Sequence, residues 1–407
     1  MANKCTVKEV LVQGSVITCN YIVEGEWKKC FATDSMKVEY SIDVSSVPQS
    51  IAVIPFLANT LPMAWVFDAE IIVPELDKDF YESIPEFKEG YINMHPSIDF
   101  KGSLSAGKLV DNKEQGTGAM AFFSGGVDAF NTLVKHAEEK PTLITLWGSD
   151  VKLWDEEGWK KVENHIISTA TAFGIDYVTV KSEFRTYFVD LPLNIAVKKS
   201  GDGWWHGFQH GIGIISHAAP IAFALGKNIV YFASSFTASD KGKVTCASDP
   251  TIDNHVRFVG TKVVHDGYEY ARQDKIHNIV DYTKNTGTDV SLRVCWQSTG
   301  GSNCCNCEKC WRTILGIYAE GQNPQDYGFN YDDFGKLCRK IYKKRELMAK
   351  DKGLRYIPIQ NSMRKHYSAE SVDAGIKWFY EINLDSLQAR YKWKHFGTES
   401  EEELRES

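Results

Sequence analysis

Apolar and polar positions follow two different patterns along the chain, and the change comes near residue 115. In the first part, residues 37–44 alternate with period two, residues 51–56 form a short apolar run, and residues 64–75 form a longer one. Runs of this kind predict strands. Residues 103–117, rich in glycine, serine, lysine and aspartate, predict a linker. The pattern therefore predicts a β-rich N-terminal domain over residues 1–115.

From residue 119 onward, short apolar runs alternate with amphipathic stretches. The predicted strands cover residues 119–123, 142–147, 176–181 and 228–233, and the predicted helices cover residues 128–140, 157–173 and 211–225. A repeated strand–helix order predicts a parallel sheet with helices on both faces. The fold class is therefore predicted as α/β, with a doubly wound parallel sheet over residues 116–320. The charged, helical remainder predicts a C-terminal extension over residues 321–407.

A glycine-rich segment directly follows the first predicted strand of this second part. It reads Ser124-Gly125-Gly126-Val127-Asp128 and opens a predicted helix. Backbone N–H groups at such a turn can bind a phosphate, because glycine allows close approach and the helix N-terminus is positive. Ser124 adds a hydroxyl, and Asp128 is placed to bind magnesium or to cap the helix. The segment is not a Walker-type loop, and a glycine turn without a ligand is the alternative.

Five cysteines crowd between residues 295 and 310. Cys295, Cys304, Cys307 and Cys310 have the spacing Cys-x8-Cys-x2-Cys-x2-Cys, and Cys305 is the odd thiol. Short x2 spacings let thiolates converge on one tetrahedral zinc ion, and a closed four-cysteine site braces a fold without activating water. An iron–sulfur cluster and unrelated buried cysteines are the alternatives.

Composition, charge and hydropathy argue against several classes of protein. The net charge of −7 argues against a general nucleic-acid surface. The longest apolar runs are shorter than the roughly 20 residues of a membrane span, and the N-terminus lacks the apolar region of a secretory signal. Crowded cysteines in a long chain indicate metal binding in a reducing compartment. We therefore expect a cytoplasmic protein without a membrane partner.

Two further segments carry candidate chemistry. The polar loop over residues 234–256 follows a predicted strand, where loops often bind substrate but are as often only solvated. His265, followed by Asp266, is a candidate general base with an orienting carboxylate. A simple turn at this position is the alternative.

The glycine segment and the cysteine motif, in this order, resemble the 7-cyano-7-deazaguanine synthase (QueC-like) branch of the PP-loop ATP pyrophosphatases. The resemblance covers about residues 119–318. It implies an adenine nucleotide alpha hydrolase-like, Rossmann-like fold, with ATP, Mg²⁺ and a structural Zn²⁺. It also implies catalytic roles for Ser124, Asp128 and Lys275, the last in a Lys-x-x-Ile-Val helix start. The implied activity is an AMP- and pyrophosphate-forming C–N ligase acting on a 7-deazaguanine-type carboxylate or nitrile.

The chain departs from this family at several positions. Ala129 stands where the family has serine or threonine, and His210 and Gly211 stand where it has an Arg-Asn pair. These departures and the added N-terminal part favour a ligase other than the housekeeping synthase. Relatives with added domains occur in bacterial antiviral defence, where some attach a deazaguanine to a partner protein.

The partners expected from this resemblance are a small 7-deazaguanine-like heterocycle and a partner protein as acceptor, with a homodimer left open. Recognition of the acceptor falls to residues 1–115, unless they only complete the fold. An RNA-modifying PP-loop enzyme is one alternative function, disfavoured by the absence of a separate basic segment. A non-catalytic nucleotide-binding sensor is the other, and Ala129 is the residue that favours it.

Overall fold

The computed structural model describes residues 2–112, 116–295, 301–345, 348 and 355–388. These residues form two compact units. The first takes in the described residues of Met1–Ser124 and His136–Tyr268, and the second takes in those of Gly125–Lys135 and Glu269–Ser407. Each unit is therefore built from two separate stretches of chain.

All strands of the described residues lie in the first unit and form one sheet of eleven strands. They are β1 (Lys4–Gln13), β2 (Val16–Glu24), β3 (Ser35–Tyr40), β4 (Glu70–Asp77), β5 (Ser103–Val110), β6 (Ala119–Phe122), β7 (Thr142–Trp147), β8 (Tyr177–Ser182), β9 (Ile229–Ala233), β10 (Arg257–Phe258) and β11 (Thr261–Asp266). Their order across the sheet is β10-β11-β9-β6-β7-β8-β3-β2-β1-β4-β5.

The helices of the described residues occur in both units. They are α1 (Gln49–Ala52), α2 (Ile54–Val66), α3 (Lys78–Met94), α4 (Val127–Lys135), α5 (Glu156–Phe173), α6 (Asp190–Val197), α7 (His210–Ile215), α8 (Ala218–Leu225), α9 (Pro250–Asp253), α10 (Arg272–Thr286), α11 (Glu308–Ala319), α12 (Phe334–Lys343), α13 (Ile357–His366) and α14 (Lys377–Glu381). No helix among the described residues is long and apolar enough to cross a membrane.

The centre of the sheet is parallel and confirms the predicted α/β class. Strands β11, β9, β6, β7 and β8 are neighbours in that order, and each pair is parallel. β6 comes first in the chain, with β7 and β8 on one side and β9 and β11 on the other. The strand order therefore reverses at β6, and ligands of open α/β sheets bind beyond the carboxyl ends of the strands at such a point. Ser124 follows β6 there.

A separate β-rich domain over residues 1–115 is not confirmed. β3 pairs antiparallel with β8, with Val38 opposite Ser182, so the N-terminal strands continue the same sheet. Buried side chains from Cys5 to Val263 also share one hydrophobic core. The predicted linker over residues 103–117 was wrong where it is described, because β5 pairs along its length with β4.

The predicted strand over residues 51–56 was also wrong. These residues lie in α1 and α2 and are buried on every side of the helix. A short apolar run fits a buried strand and an all-round buried helix equally well, so its pattern could not decide between them. Pro55 lies in the first turn of α2, where the missing N–H leaves no helical hydrogen bond unmade.

The second unit has helices and no strand among its described residues. α4 packs against α10, and α11 packs against α10 and α13. The apolar side chains that α10 and α11 bury include Ile276, Ile279, Trp311 and Ile314. α4 begins directly after the glycine turn, so its packing against α10 sets the position of Asp128 in this unit.

Candidate functional site

Four cysteines of the second unit converge as the spacing predicted. The Sγ atoms of Cys295, Cys304, Cys307 and Cys310 all lie within 4.8 Å of one another. The Sγ atom of Cys295 is 3.3 Å from that of Cys304 and 3.8 Å from that of Cys307. A tetrahedral zinc ion with Zn–S bonds of about 2.3 Å separates its thiolates by about 3.8 Å. The four thiols are thus placed to hold one metal ion such as zinc.

Local hydrogen bonds build this thiol cluster. Asn303 accepts from the backbone N–H of Val294 at 2.9 Å and donates to the carbonyl of Leu292 at 2.7 Å. It therefore ties the segment before Cys304 to the segment before Cys295. Cys307 is the N-cap of α11, and its sulfur accepts from the N–H of Cys310 at 3.5 Å. Residues 296–300, between Cys295 and Cys304 in the sequence, lie outside the described residues.

The electrostatics of the thiol cluster favour a cation. Burial, followed by the charges of Cys307 and its neighbours, raises the pKa of the Cys310 thiol well above its usual range. A divalent ion removes that penalty, because its charge stabilises the thiolates. Cys305 is not part of the cluster, since its Sγ lies 3.9 Å from the carbonyl oxygen of Asn303 and burial raises its pKa to about 11.

The glycine turn contains one residue in the left-handed backbone region. Gly125 has a φ of 77°, in the left-handed region that favours glycine. Its carbonyl accepts from the N–H of Arg293 at 2.7 Å, two residues before Cys295. The carbonyl of Gly126 accepts from the N–H of Phe130 at 2.9 Å, which closes the first turn of α4. The segment that carries the thiol cluster therefore also supports the glycine turn.

Asp128, in the first turn of α4, lies between two cations of α10. Its Oδ1 is 3.0 Å from Nζ of Lys275, and its Oδ2 is 3.3 Å from a terminal nitrogen of Arg272. Burial alone would raise the pKa of this carboxyl, but the charges of Lys275 and Arg272 outweigh burial and lower it. Lys275 itself is 1% exposed. Asp128 is therefore ionised and balanced by cations.

Positive charge exceeds negative charge around this aspartate. Lys309 also lowers the pKa of Asp128, and Nε of Arg312 lies 3.8 Å from Glu308. Burial, followed by repulsion from Arg272, lowers the pKa of Arg312 to about 10. We name Arg272, Lys275, Lys309 and Arg312, together with Asp128, the cationic cluster.

Two nitrogens of the cationic cluster are buried without a hydrogen-bond acceptor among the described residues. They are Nε of Arg272 and Nε of Arg312. The distance from Arg312 to Glu308 is too long for a hydrogen bond. An unsatisfied buried donor costs about 1–3 kcal/mol, so an anion that reaches these nitrogens would be stabilised.

The structure thus brings Lys275 and Asp128 together. Arg272 and Arg312 were not selected from the sequence. Arg272 could have been found from its position three residues before Lys275, on the same face of the predicted helix. Arg312 had no signal beyond its nearness to Cys310.

The departures at residues 210 and 211 have a structural reason in the first unit. A side chain on Gly211 would meet the backbone oxygen of Ala247 and a carboxyl oxygen of Asp253, both closer than real Cβ contacts allow. Burial lowers the pKa of His210 to about 4, so this histidine is neutral near pH 7. Gly211 is therefore required here by packing.

Comparisons of this chain with models of protein families, with curated proteins and with solved structures each found no match. The thiol cluster and the cationic cluster are the two arrangements of chemically active side chains described in the second unit.

Proposed function

We propose that the protein is an ATP-dependent ligase that forms AMP and pyrophosphate, as its resemblance to the 7-cyano-7-deazaguanine synthases implies. It would activate a 7-deazaguanine-type carboxylate or nitrile and join it to an amine, with a partner protein of an antiviral defence system as the acceptor. The observation that supports this proposal best is the cationic cluster, whose surplus positive charge and buried unpaired nitrogens suit the phosphates of ATP.

In this proposal, Lys275 and Arg272 release the carboxylate of Asp128 and bind phosphate oxygens instead when ATP binds. Both cations lie near the start of α10, and their charges would stabilise the pyrophosphate as it leaves. The N–H groups of the glycine turn would bind the same phosphates through their dipoles. Arg312, whose Nε lacks a partner among the described residues, would gain an acceptor.

Magnesium fits this arrangement on one condition. Both carboxyl oxygens of Asp128 are in contact with cations. Asp128 can therefore become a magnesium ligand only after Lys275 or Arg272 turns towards the phosphates. We expect magnesium to arrive with ATP, since Mg²⁺ is commonly held by one or two carboxylates together with substrate phosphates.

Zinc would act on the structure and not on the reaction. Four thiolates fill its coordination, so no position is open for water or substrate. The hydrogen bond from Arg293 to Gly125 links this part of the chain to the glycine turn. Zinc would therefore keep the turn in shape.

Product analysis with ATP and 7-carboxy-7-deazaguanine tests the proposal. We expect AMP and pyrophosphate to form in equal amounts and only when the carboxylate is present. Lys275→Met should slow their formation by about 100-fold, whereas Lys284→Met is the matched control, because Lys284 is an exposed lysine in the last turn of the same helix. ADP and orthophosphate as main products would contradict a ligase of this type. ATP binding without cleavage would favour the nucleotide sensor.

A further inference from the structure

The loop over residues 234–256 forms a small polar pocket in the first unit. Its walls include Asp240, Cys246, Ser248, Asp249 and Tyr268. The free volume is about 10 Å³, which is close to the space that one water-sized group needs. The pocket can therefore take a single small group, such as the head of an amine.

The pocket is electronegative. Asp240 is 7% exposed, and its Oδ1 is buried without a hydrogen-bond partner among the described residues. Burial, followed by the charges of Asp249 and Asp240, raises the pKa of Tyr268. Lys241 also lines the pocket, but its side chain is exposed to solvent. A cationic group in the pocket would supply the partner that Asp240 lacks, and the Tyr268 ring would add a cation–π contact.

A buried carboxylate–imidazole pair lies against this pocket. Nδ1 of His265 is 2.8 Å from Oδ2 of Asp253, and the two side chains are 1% and 0% exposed. The hydroxyl of Ser248 donates to the same carboxyl oxygen at 2.9 Å. The ring of Tyr268 lies 5.7 Å from the ring of His265. The two residues that contact the pair, Ser248 and Tyr268, are thus also walls of the pocket.

The other ring nitrogen of His265, Nε2, makes no hydrogen bond within the described residues. With Nδ1 held by Asp253 at 2.8 Å, Nε2 is the ring nitrogen left to face a substrate. The packing of Gly211 against Asp253 holds this carboxylate in place. The pair therefore has the arrangement of a general base and its orienting carboxylate.

His265 is also at the edge of the sheet where the proposed chemistry is expected. It lies near the carboxyl end of β11, and Ser124 follows the carboxyl end of β6. β9 alone separates these parallel strands, so the two strand ends are about 10 Å apart at the usual strand spacing.

We propose that the pocket binds the protonated amine of the acceptor through Asp240 and Asp249, and that His265, oriented by Asp253, is the base that deprotonates it. This role rests on the proposed ligase function, in which an unprotonated amine must attack the activated carboxylate. The pocket would thus select the amine and prepare it for attack.

The proton balance of this step is as follows. Nε2 of His265 takes one proton from the ammonium group and passes it to water. The free amine then attacks the carbonyl carbon of the acyl-adenylate, the C–N bond forms, and the bond from carbon to the AMP oxygen breaks with its electrons on AMP. The second proton leaves the nitrogen through His265 to water. An amide, AMP and two protons result.

Two assays on the whole chain separate this role from the ligase function. Exchange of labelled pyrophosphate into ATP, with 7-carboxy-7-deazaguanine present, reports carboxylate activation alone. Amide formation with methylamine reports activation and transfer. We expect His265→Gln to keep exchange within about twofold and to lower kcat for methylamine by about 100-fold, a usual loss for a general base. Hydroxylamine, which is unprotonated at pH 7, should restore most of the transfer.

Two other variants complete the test. Asp249→Asn keeps a capping side chain on α9 and should raise the KM for methylamine about tenfold with little change in kcat, since it loses one charge contact. If His265→Gln does not fold, the Asp249→Asn variant still tests the proposed binding of the amine. His255→Gln is the matched control, because this histidine of the same loop is 45% exposed and pairs with Glu86.

Normal exchange with unchanged methylamine transfer in both His265→Gln and Asp249→Asn would overturn the amine role and leave the ligase proposal standing. An equal loss with methylamine and hydroxylamine in His265→Gln would also overturn it. No exchange by the wild-type chain would overturn the ligase proposal and this role with it.

Discussion

The second unit contains two hydrogen-bonded carboxylates, the buried Glu320 and the partly buried Asp128, whose surroundings differ in one respect. Glu320 accepts hydrogen bonds from Gln273 at 2.7 Å and Ser362 at 2.6 Å, and it pairs with His277 at 2.9 Å. Asp128 is held by Lys275 and Arg272 within a surplus of positive charge. Both carboxylates are ionised, yet only the cationic cluster leaves charge and donors uncompensated.

This difference separates a structural cluster from one that is prepared for a ligand. The partners of Glu320 balance its charge, so the group contributes rigidity, and the atom it leaves unpaired, Oε1 of Gln273, is a neutral acceptor that gives an anion no contact. The cationic cluster keeps two unsatisfied nitrogens among the described residues, which costs stability unless an anion binds. The comparison predicts that changes around Glu320 affect folding and that changes around Asp128 affect binding.

The largest loss of stability should come from removing the metal, because α11 contributes residues to both the thiol cluster and the cationic cluster. Cys307 is the N-cap of this helix, Arg312 lies within it, and Glu320 is its C-cap. Structural zinc binding is worth on the order of 10 kcal/mol, so Cys310→Ser should lose the metal and the cooperative unfolding of the second unit. Metal analysis and thermal unfolding by circular dichroism measure this. Cys305→Ser is the matched control, and equal metal content in both variants would contradict the assignment.

The next largest effect is expected at Glu320. Glu320→Gln removes the charge that Gln273, Ser362 and His277 surround, and the free energy of unfolding should fall by about 3 kcal/mol. The kcat for the proposed reaction should not change at temperatures where the variant is folded. Urea unfolding and the product assay measure the two quantities. A loss of kcat without a loss of stability would reverse the comparison.

Lys275→Met should show the opposite pattern to Glu320→Gln, with a large loss of activity and a smaller loss of stability. It removes a charge proposed to stabilise the leaving pyrophosphate, so kcat should fall by about 100-fold. The loss of stability should be smaller than in Glu320→Gln, since the remaining cations repel each other less and Arg272 still holds Asp128. Calorimetric titration with a non-hydrolysable ATP analogue should show weaker binding as well. Unchanged binding together with a large loss of stability would place Lys275 among the structural residues.

A smaller effect is expected on the stability of the fold at acidic pH. The pKa of Glu320 is lowered because its hydrogen-bond partners outweigh burial, and that of Asp128 is lowered because its cations do. Their contribution to stability is present above the usual pKa values of 4.5 and 3.8. It is lost as the pH falls through the lower folded-state values. Glu320→Gln should therefore flatten the acid limb of a plot of stability against pH; an unchanged slope would contradict this.

The smallest effect is expected at His277. Its side chain is 55% exposed although it contacts Glu320. An exposed ion pair contributes about 0.5 kcal/mol or less, so His277→Gln should leave urea unfolding nearly unchanged. A loss comparable to that of Glu320→Gln would show that the balance around Glu320 depends on this one partner.

The sequence predicted the parallel centre of the sheet well because its strands are short apolar runs with clear turns. The predicted strand over residues 142–147 has the same bounds as β7. The hairpin of β1 and β2 was missed, although Gly14 with a φ of 59° marks its turn. A register shift between Val7 and Glu9 interrupts the alternation that would have shown β1.

Site residues were predictable where the chain brings them together locally. The four cysteines span a short segment, and their spacing was sufficient. The partner of His265 was not predictable, because the neighbouring Asp266 points to the opposite face of the sheet, as successive strand residues do. Asp266 pairs there with His136 at 3.1 Å, whereas Asp253 is the last residue of α9, before β10.

The split of the second unit into two stretches of chain has a consequence for synthesis. α4 finds its partner α10 only after about 140 further residues have been made, which takes roughly 10 s at ribosomal rates of about 5–20 residues per second. During that interval the newly made α4 segment lacks the surface that buries Phe130 and Leu133 in the finished protein. The nascent chain therefore carries its glycine turn and Asp128 for seconds before the four cations of the cationic cluster have been made.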